Sequence, residues 1–151
     1  MSYTKNLAEL GLVLPPVASP AGAYVPAVRS GNYVYTAGQL PIIDGELAAT
    51  GKLGAEITAE QGKELTARCA LNALAALDDV AGLDNVVRIV KVVGFIASAP
   101  GFTAQPAVLN GASELLGAVF GENGRHARSA VGVSELPLGS PVEVELIAEV
   151  R

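Results

Sequence analysis

The 151-residue chain has no tryptophan, one methionine, one cysteine and one histidine. A lone cysteine, Cys69, excludes an intramolecular disulfide. With Cys69 the only thiol and His126 the only imidazole, a transition-metal site lacks ligands, because carboxylates alone rarely build one. No metal is expected. Charge is also scarce, at 17% of residues against roughly 25% in soluble domains, while 50% are hydrophobic. A chain this poor in charge is expected to bury further surface against copies of itself. Ten Lys and Arg stand against fifteen Asp and Glu, for a net charge of −5, and the basic residues form no cluster. Phosphate neutralisation dominates nucleic-acid affinity, so neither nucleic acid nor an anionic membrane surface is an expected partner. No apolar run reaches the roughly 18–20 residues that span a bilayer. The opening MSYTKNLAELGLVLPP lacks the basic start, apolar run and cleavage site of a signal peptide, so a cytoplasmic location is expected. There is no G-x-S-x-G elbow, and AGAYVP and TAGQLP lack the strand–loop–helix context of a phosphate-binding loop.

What is present reads as one α+β domain. Residues 1–22 are the least regular, with Pro15, Pro16, Pro20 and Gly22; Tyr3 to Leu10 fits a short helix or a covering arm. Tyr24–Arg29 and Tyr33–Gly38 are β-prone runs around Ser30, Gly31 and Asn32, a hairpin signal. Asp44-Gly45 suits a type I′ turn. Thr58 and Gln61 form a capping box that opens a helix ending at Gly82. Val86–Ser98 is too rich in β-branched residues for a comfortable helix and reads as a long strand. Val108, Leu109, Ala112, Leu115, Leu116, Val119 and Phe120 follow helical spacing, with Gly121 as the expected C-cap. Ala127–Val150 reads as two strands joined in a hairpin by a turn rich in Pro and Gly. Two helices cover only one face of such a sheet, and the other face requires a partner.

That closing segment carries the charges that need a reason. Arg128 begins a strand among small and apolar residues. Its planar guanidinium matches a carboxylate with two parallel hydrogen bonds, but it can equally pair across the hairpin with a glutamate for about 0–1 kcal/mol. In PVEVELIAEV the period of two places Glu143 and Glu145 on one face and Val142, Val144 and Leu146 on the other. The two glutamates are either the solvated face of an edge strand or an acid–base pair in which repulsion raises one pKa. Asn110 lies off the apolar stripe of its helix and reads as exposed. His126, in the loop GENGRHAR, reads as a solvated loop residue, and Cys69 as a packed small hydrophobe.

Three segments together resemble the RidA, or YjgF, family of reactive-intermediate deaminases, some of whose members were earlier described as endoribonucleases. They are AGAYVPAVRSGNYVYTAGQLP, LDNVVRIVKVVGFIAS and ARSAVGVSELPLGSPVEVELIA. The resemblance divides the chain into an N-terminal extension, residues 1–19, and a RidA-like domain, residues 20–151. It implies a chorismate-mutase-like fold with a single mixed sheet of about six strands and two helices on one face. It also implies a homotrimeric barrel with sites in the clefts between subunits.

The implied activity is hydrolysis of 2-enamine and 2-imine acids, such as 2-aminoacrylate, to 2-oxo acids and ammonia. Small 2-imino or 2-oxo carboxylic acids would be the ligands, with no cofactor. Carried onto this sequence, the resemblance makes Arg128 the carboxylate anchor and Glu143 the residue that positions water. Tyr24, Gly38 and Asn110 would complete the substrate-binding set, and Glu145 is left structural. Ala130 stands where many relatives carry cysteine. Extra residues lie between Phe102 and Asn110, the Gly121–His126 loop is short and the N-terminal arm is long. Two other functions compete: a non-catalytic trimer that binds or senses 2-oxo acids, and, with the acidic charge against it, a ribonuclease.

Overall fold

The computed structural model describes residues 2–151. A first helix, α1 (Tyr3–Glu9), is capped by Ser2, whose hydroxyl accepts the Lys5 N–H at 3.1 Å. The Asp84 carboxylate accepts the Thr4 N–H at 3.0 Å, and this backbone hydrogen bond holds its pKa below the ordinary value. The helix docks through the Tyr3 ring, whose centroid lies 4.7 Å from that of Phe120. The N-terminal arm therefore joins the common core.

Strands β1 (Ala27–Ser30) and β2 (Tyr33–Thr36) form the first hairpin. The pair β3 (Ile42–Ile43) and β4 (Glu46–Leu47) turns at Asp44 and Gly45, with φ of 52° and 84°, the two positive values that a type I′ turn needs. This pair stays outside the main sheet. Asn72 donates to the carbonyls of Leu40 and Ile42, and Arg68 Nε to that of Ile42, so α2 (Ala59–Ala81) holds it. The main sheet accordingly has five strands, where about six are expected from the sequence.

Helix α2 begins on the capping box. The Gln61 N–H reaches Thr58 Oγ1 at 3.2 Å, and Gln61 Oε1 accepts the Thr58 N–H at 2.8 Å. Cys69 is fully buried in this helix, and burial pushes its thiol well above the usual 9.0. Helix α3 (Gln105–Phe120) has Pro106 in its first turn and ends at Gly121 with φ 61°.

The two long helices touch at Gly111, where a side chain would strike the Lys63 carbonyl. Beside it the buried Thr66 hydroxyl donates to the Val108 carbonyl at 2.7 Å and accepts the Ala112 N–H at 3.2 Å. Alanine at Gly111 gains about 1 kcal/mol in helix propensity, but the clash with backbone outweighs it. Gly111→Ala is expected to cost about 1–3 kcal/mol net, read as a lower urea midpoint at unchanged slope.

Strands β5 (Val86–Ala97), β6 (Ala127–Val133) and β7 (Val142–Val150) complete the sheet in the order β1-β2-β7-β5-β6. Only β5 and β6 run parallel. The hairpin expected over Ala127–Val150 does not form, because β5 lies between β6 and β7. The connection reverses direction as its Pro–Gly turn requires, yet it passes over the end of β5. There the Ala97 N–H bonds the Pro141 carbonyl at 2.9 Å, and the Ser98 N–H bonds that of Val133 at 3.0 Å. Turn chemistry specifies a reversal, not the neighbour. Placing β5 in the middle lets α3 serve as the crossover that parallel pairing needs.

β7 alternates strictly. Val142, Val144, Leu146, Ala148 and Val150 are buried on the face that α2 covers, and Glu143, Glu145, Ile147 and Glu149 face the other way. That second face also carries Tyr33 and Tyr35, each 42% exposed, and Val131, 44% exposed. Among the described residues no helix covers it.

Candidate functional site

The edge strand β6 turns the Arg128 side chain toward α3. Its Nη1 donates to Ser113 Oγ at 3.1 Å and its Nη2 to the Pro106 carbonyl at 3.1 Å. Pro106, Asn110 and Ser113 fall on one helical stripe, so Asn110 lies between the two tethers of the guanidinium. Asn110 is partly buried, not exposed. The ion pairs among the described residues join Lys5 to Glu9, Lys52 to Glu135, Lys63 to Glu114 and Arg125 to Glu122. None includes Arg128, which is partly buried and has no carboxylate within 4.0 Å. The ion pair across a hairpin is thereby ruled out, and a fixed guanidinium remains with donors to spare.

His126 is not a solvated loop residue. Its Nδ1 lies 2.6 Å from the Gly124 carbonyl oxygen and its Nε2 lies 2.9 Å from Ser113 Oγ. Sequence reasoning missed Ser113 and His126. The signals were available: Ser113 lies one turn beyond Asn110 on its stripe, and His126 lies two residues before Arg128, on the same side of an extended chain.

Glu143 occupies the opposite face of the sheet. Pairing of β2 with β7 runs to Tyr35↔Ile147 and resumes at Gln39↔Val144. Three residues of one strand thus oppose two of the other, a bulge of the kind that re-aims side chains. Thr36 Oγ1 fills the gap by accepting the Leu146 N–H at 3.0 Å. The bulge brings Gly38 under Glu143, and a Cβ on Gly38 would overlap the Glu143 carboxylate. Burial first, and the neighbouring Glu145 carboxylate second, raise the Glu143 pKa above the usual 4.5. Tyr24 adjoins this region. Its hydroxyl accepts the Ala21 N–H at 3.2 Å, and with Pro26, Gly38, Gln39 and Leu138 it lines a hollow of about 70 Å³.

One protomer does not unite the five predicted residues. It groups Arg128 with Asn110, and Tyr24 with Gly38 and Glu143. Arg128 stands opposite Val92 and Glu143 opposite Phe95 on the shared neighbour β5. At strand spacings of about 4.8 Å and a rise of about 3.3 Å per residue, the two lie about 10 Å apart across the sheet and about 10 Å along it. Their side chains project from opposite faces. A groove of about 670 Å³ between Val13–Ser19 and α2 contains none of the five.

Residues 4–150 match the family described as YjgF/chorismate mutase-like, putative endoribonuclease. The chain is 46% identical to Protein TCP17 of Trypanosoma cruzi, over 97% of this chain and 92% of that one. The crystal structure of the protein Atu1372 from Agrobacterium tumefaciens matches with a TM-score of 0.91 at 41% identity, covering 99% of this chain and 92% of that one. The structure of E. coli TdcF with bound serine matches with a TM-score of 0.60 at 29% identity, over 89% of this chain and 93% of that one. Sequence and fold agree over almost the whole length, and the chain belongs to the YjgF (RidA) family.

Proposed function

We propose that the protein hydrolyses reactive 2-enamine and 2-imine acids to 2-oxo acids and ammonia, in sites formed between the protomers of a homotrimer. The observation that carries this reading is Arg128: a partly buried guanidinium, tethered by Ser113 and Pro106, with no counter-ion among the described residues. A partly buried cation held without a counter-ion favours an incoming anion. TdcF, a structural relative, holds serine, a ligand with the carboxylate that such a fork would grip.

An enamine such as 2-aminoacrylate takes a proton at its methylene carbon and becomes the iminium. Water adds to C2, a proton passes from that oxygen to nitrogen, and ammonia leaves as the carbonyl forms. The carbon is already electrophilic, so holding the carboxylate and placing the water supplies much of the catalysis by orientation. Glu143, with its raised pKa, takes the proton from water and returns it to the departing amine. Ala130, two residues beyond Arg128, provides no thiol, and these steps use none. The covering partner for the exposed face of β2 and β7 would be a second copy, which would also bring an Arg128 group to a Glu143 group.

A pyridoxal-phosphate dehydratase that releases 2-aminoacrylate from serine tests the reading, with wild type, Arg128→Ala and no added protein compared. Wild type is expected to outpace spontaneous hydrolysis. Arg128→Ala is expected to lose about 10–100-fold in kcat/KM, the scale of charge-assisted hydrogen bonds. Equal rates in all three would favour the second reading, a carboxylate-binding protein without turnover, which the bound serine of TdcF equally supports. The family description names an endoribonuclease; the net charge of −5 weighs against binding a polyanion.

A further inference from the structure

We infer that His126 and Ser113 are positioning residues that set how Arg128 presents its guanidinium to a carboxylate; the inference rests on the reading of Arg128 as that anchor. Gly124 fixes the first link. Its residue is buried, and a side chain there would strike the Leu116 carbonyl, so the short turn that offers the Gly124 carbonyl is pressed against α3. That carbonyl can only accept. His126 Nδ1, 2.6 Å away, therefore carries the ring proton.

In the neutral ring Nε2 then holds a bare lone pair. It lies 2.9 Å from Ser113 Oγ, so the serine must donate its single hydroxyl proton to the histidine. With that proton committed, Oγ has only lone pairs left. Arg128 Nη1–H meets one of them at 3.1 Å, while Nη2–H meets the Pro106 carbonyl at 3.1 Å. Four groups from a turn, a helix and a strand thus form one directed chain: carbonyl, imidazole, hydroxyl, guanidinium.

Without His126 the hydroxyl is free to rotate and to bond a carbonyl of its own helix, the usual competitor for a mid-helix serine. Arg128 would lose a defined acceptor and keep only the Pro106 carbonyl. A long side chain held at both Nη atoms is ordered before ligand arrives, and this ordering is the function assigned to the pair.

Calorimetric titration with pyruvate, alongside 2-aminoacrylate kinetics, tests this in the full chain. Ser113→Ala and His126→Phe are each expected to weaken pyruvate binding about 5–20-fold. KM is expected to rise by a similar factor while kcat changes by less than about threefold. Ser113→Thr keeps the hydroxyl and His126→Gln keeps an acceptor, and both are expected to stay within about twofold of wild type. Ser113→Ala removes one oxygen and serves should the His126 variants fold poorly. The ring 15N shifts of His126 in wild type are expected to show the Nδ1-protonated tautomer; an Nε2-protonated ring overturns the chain as drawn. Binding by Ser113→Ala and His126→Phe that equals wild type, with Arg128→Ala impaired, overturns the inference and leaves the anchor intact. Wild-type binding by Arg128→Ala overturns the anchor, and the inference with it.

Discussion

Arg128→Ala and Glu143→Gln protomers, unfolded and refolded together in equal amounts, are expected to recover about one quarter of the wild-type activity, more than either variant keeps alone. The expectation comes from the sheet. Arg128 and Glu143 project from opposite faces of it and stand level with different residues of β5. Side chains placed so cannot meet on one small substrate within a protomer. If a site takes its arginine from one chain and its glutamate from the next, random assembly leaves the arginine intact in half the sites and the glutamate intact in half of those. The readout is hydrolysis of 2-aminoacrylate after co-refolding, with each variant refolded alone as control. An inactive mixture would show that both residues serve from the same chain, and the intersubunit site would have to be abandoned.

The second large effect concerns Glu143 itself. Glu143→Gln is expected to lower kcat by about 10²–10⁴, the usual share of a general acid–base group, while making the protein more stable at neutral pH. The two effects share a cause. Burial and the Glu145 charge hold the folded-state pKa of Glu143 above 4.5, so the folded protein binds its proton more tightly than the unfolded chain does. Stability is therefore lost as pH rises from the ordinary carboxylate value through the raised one, and above that value the full penalty is present. Glutamine carries no charge and escapes it. The gain in denaturation midpoint should be clear at pH 7 to 8 and fade below about pH 4. A gain that is the same at both ends would reject desolvated charge as its source. Gly38→Ala offers a companion: its methyl would occupy the place of the Glu143 carboxylate, so activity should fall although the glutamate remains.

These expectations draw unequally on the sequence. The alternation of β7, the capping box of α2 and the Asp44–Gly45 turn were legible because each depends on residues close together in the chain. So was the uncovered sheet face, since two amphipathic helices cannot cover both sides. The misread element was the Ala127–Val150 hairpin. A turn in Leu136–Gly139 reports reversal, and nothing local records that β5 slides between the two strands. The same blindness hid His126. A lone histidine in a glycine-rich loop gives no sign that its partner is Ser113 on α3, because that contact exists only after α3 crosses back to β6. The family resemblance singles out Glu143, but its seat on Gly38 depends on a bulge between segments far apart in sequence. Arg128 reaches the stripe of α3 that carries Asn110, and the remaining gap to Glu143 is one a single chain does not close.

The place of β7 has a consequence for how the protein is made. It follows every other strand in the chain, yet it is the central one, between β2 and β5. A nascent chain that has emerged as far as β6 carries two separate pieces of sheet, β1–β2 and β5–β6, each with an open edge where β7 belongs. Open edges of this kind invite pairing with other chains, and domains made largely of distant contacts close slowly. The three glutamates on one face of β7 keep charge on that strand until it pairs. A chain stopped before Val142 would lack Glu143 and a continuous sheet alike, so translation delivers the Glu143 carboxylate in the same stretch that joins the two halves of the molecule.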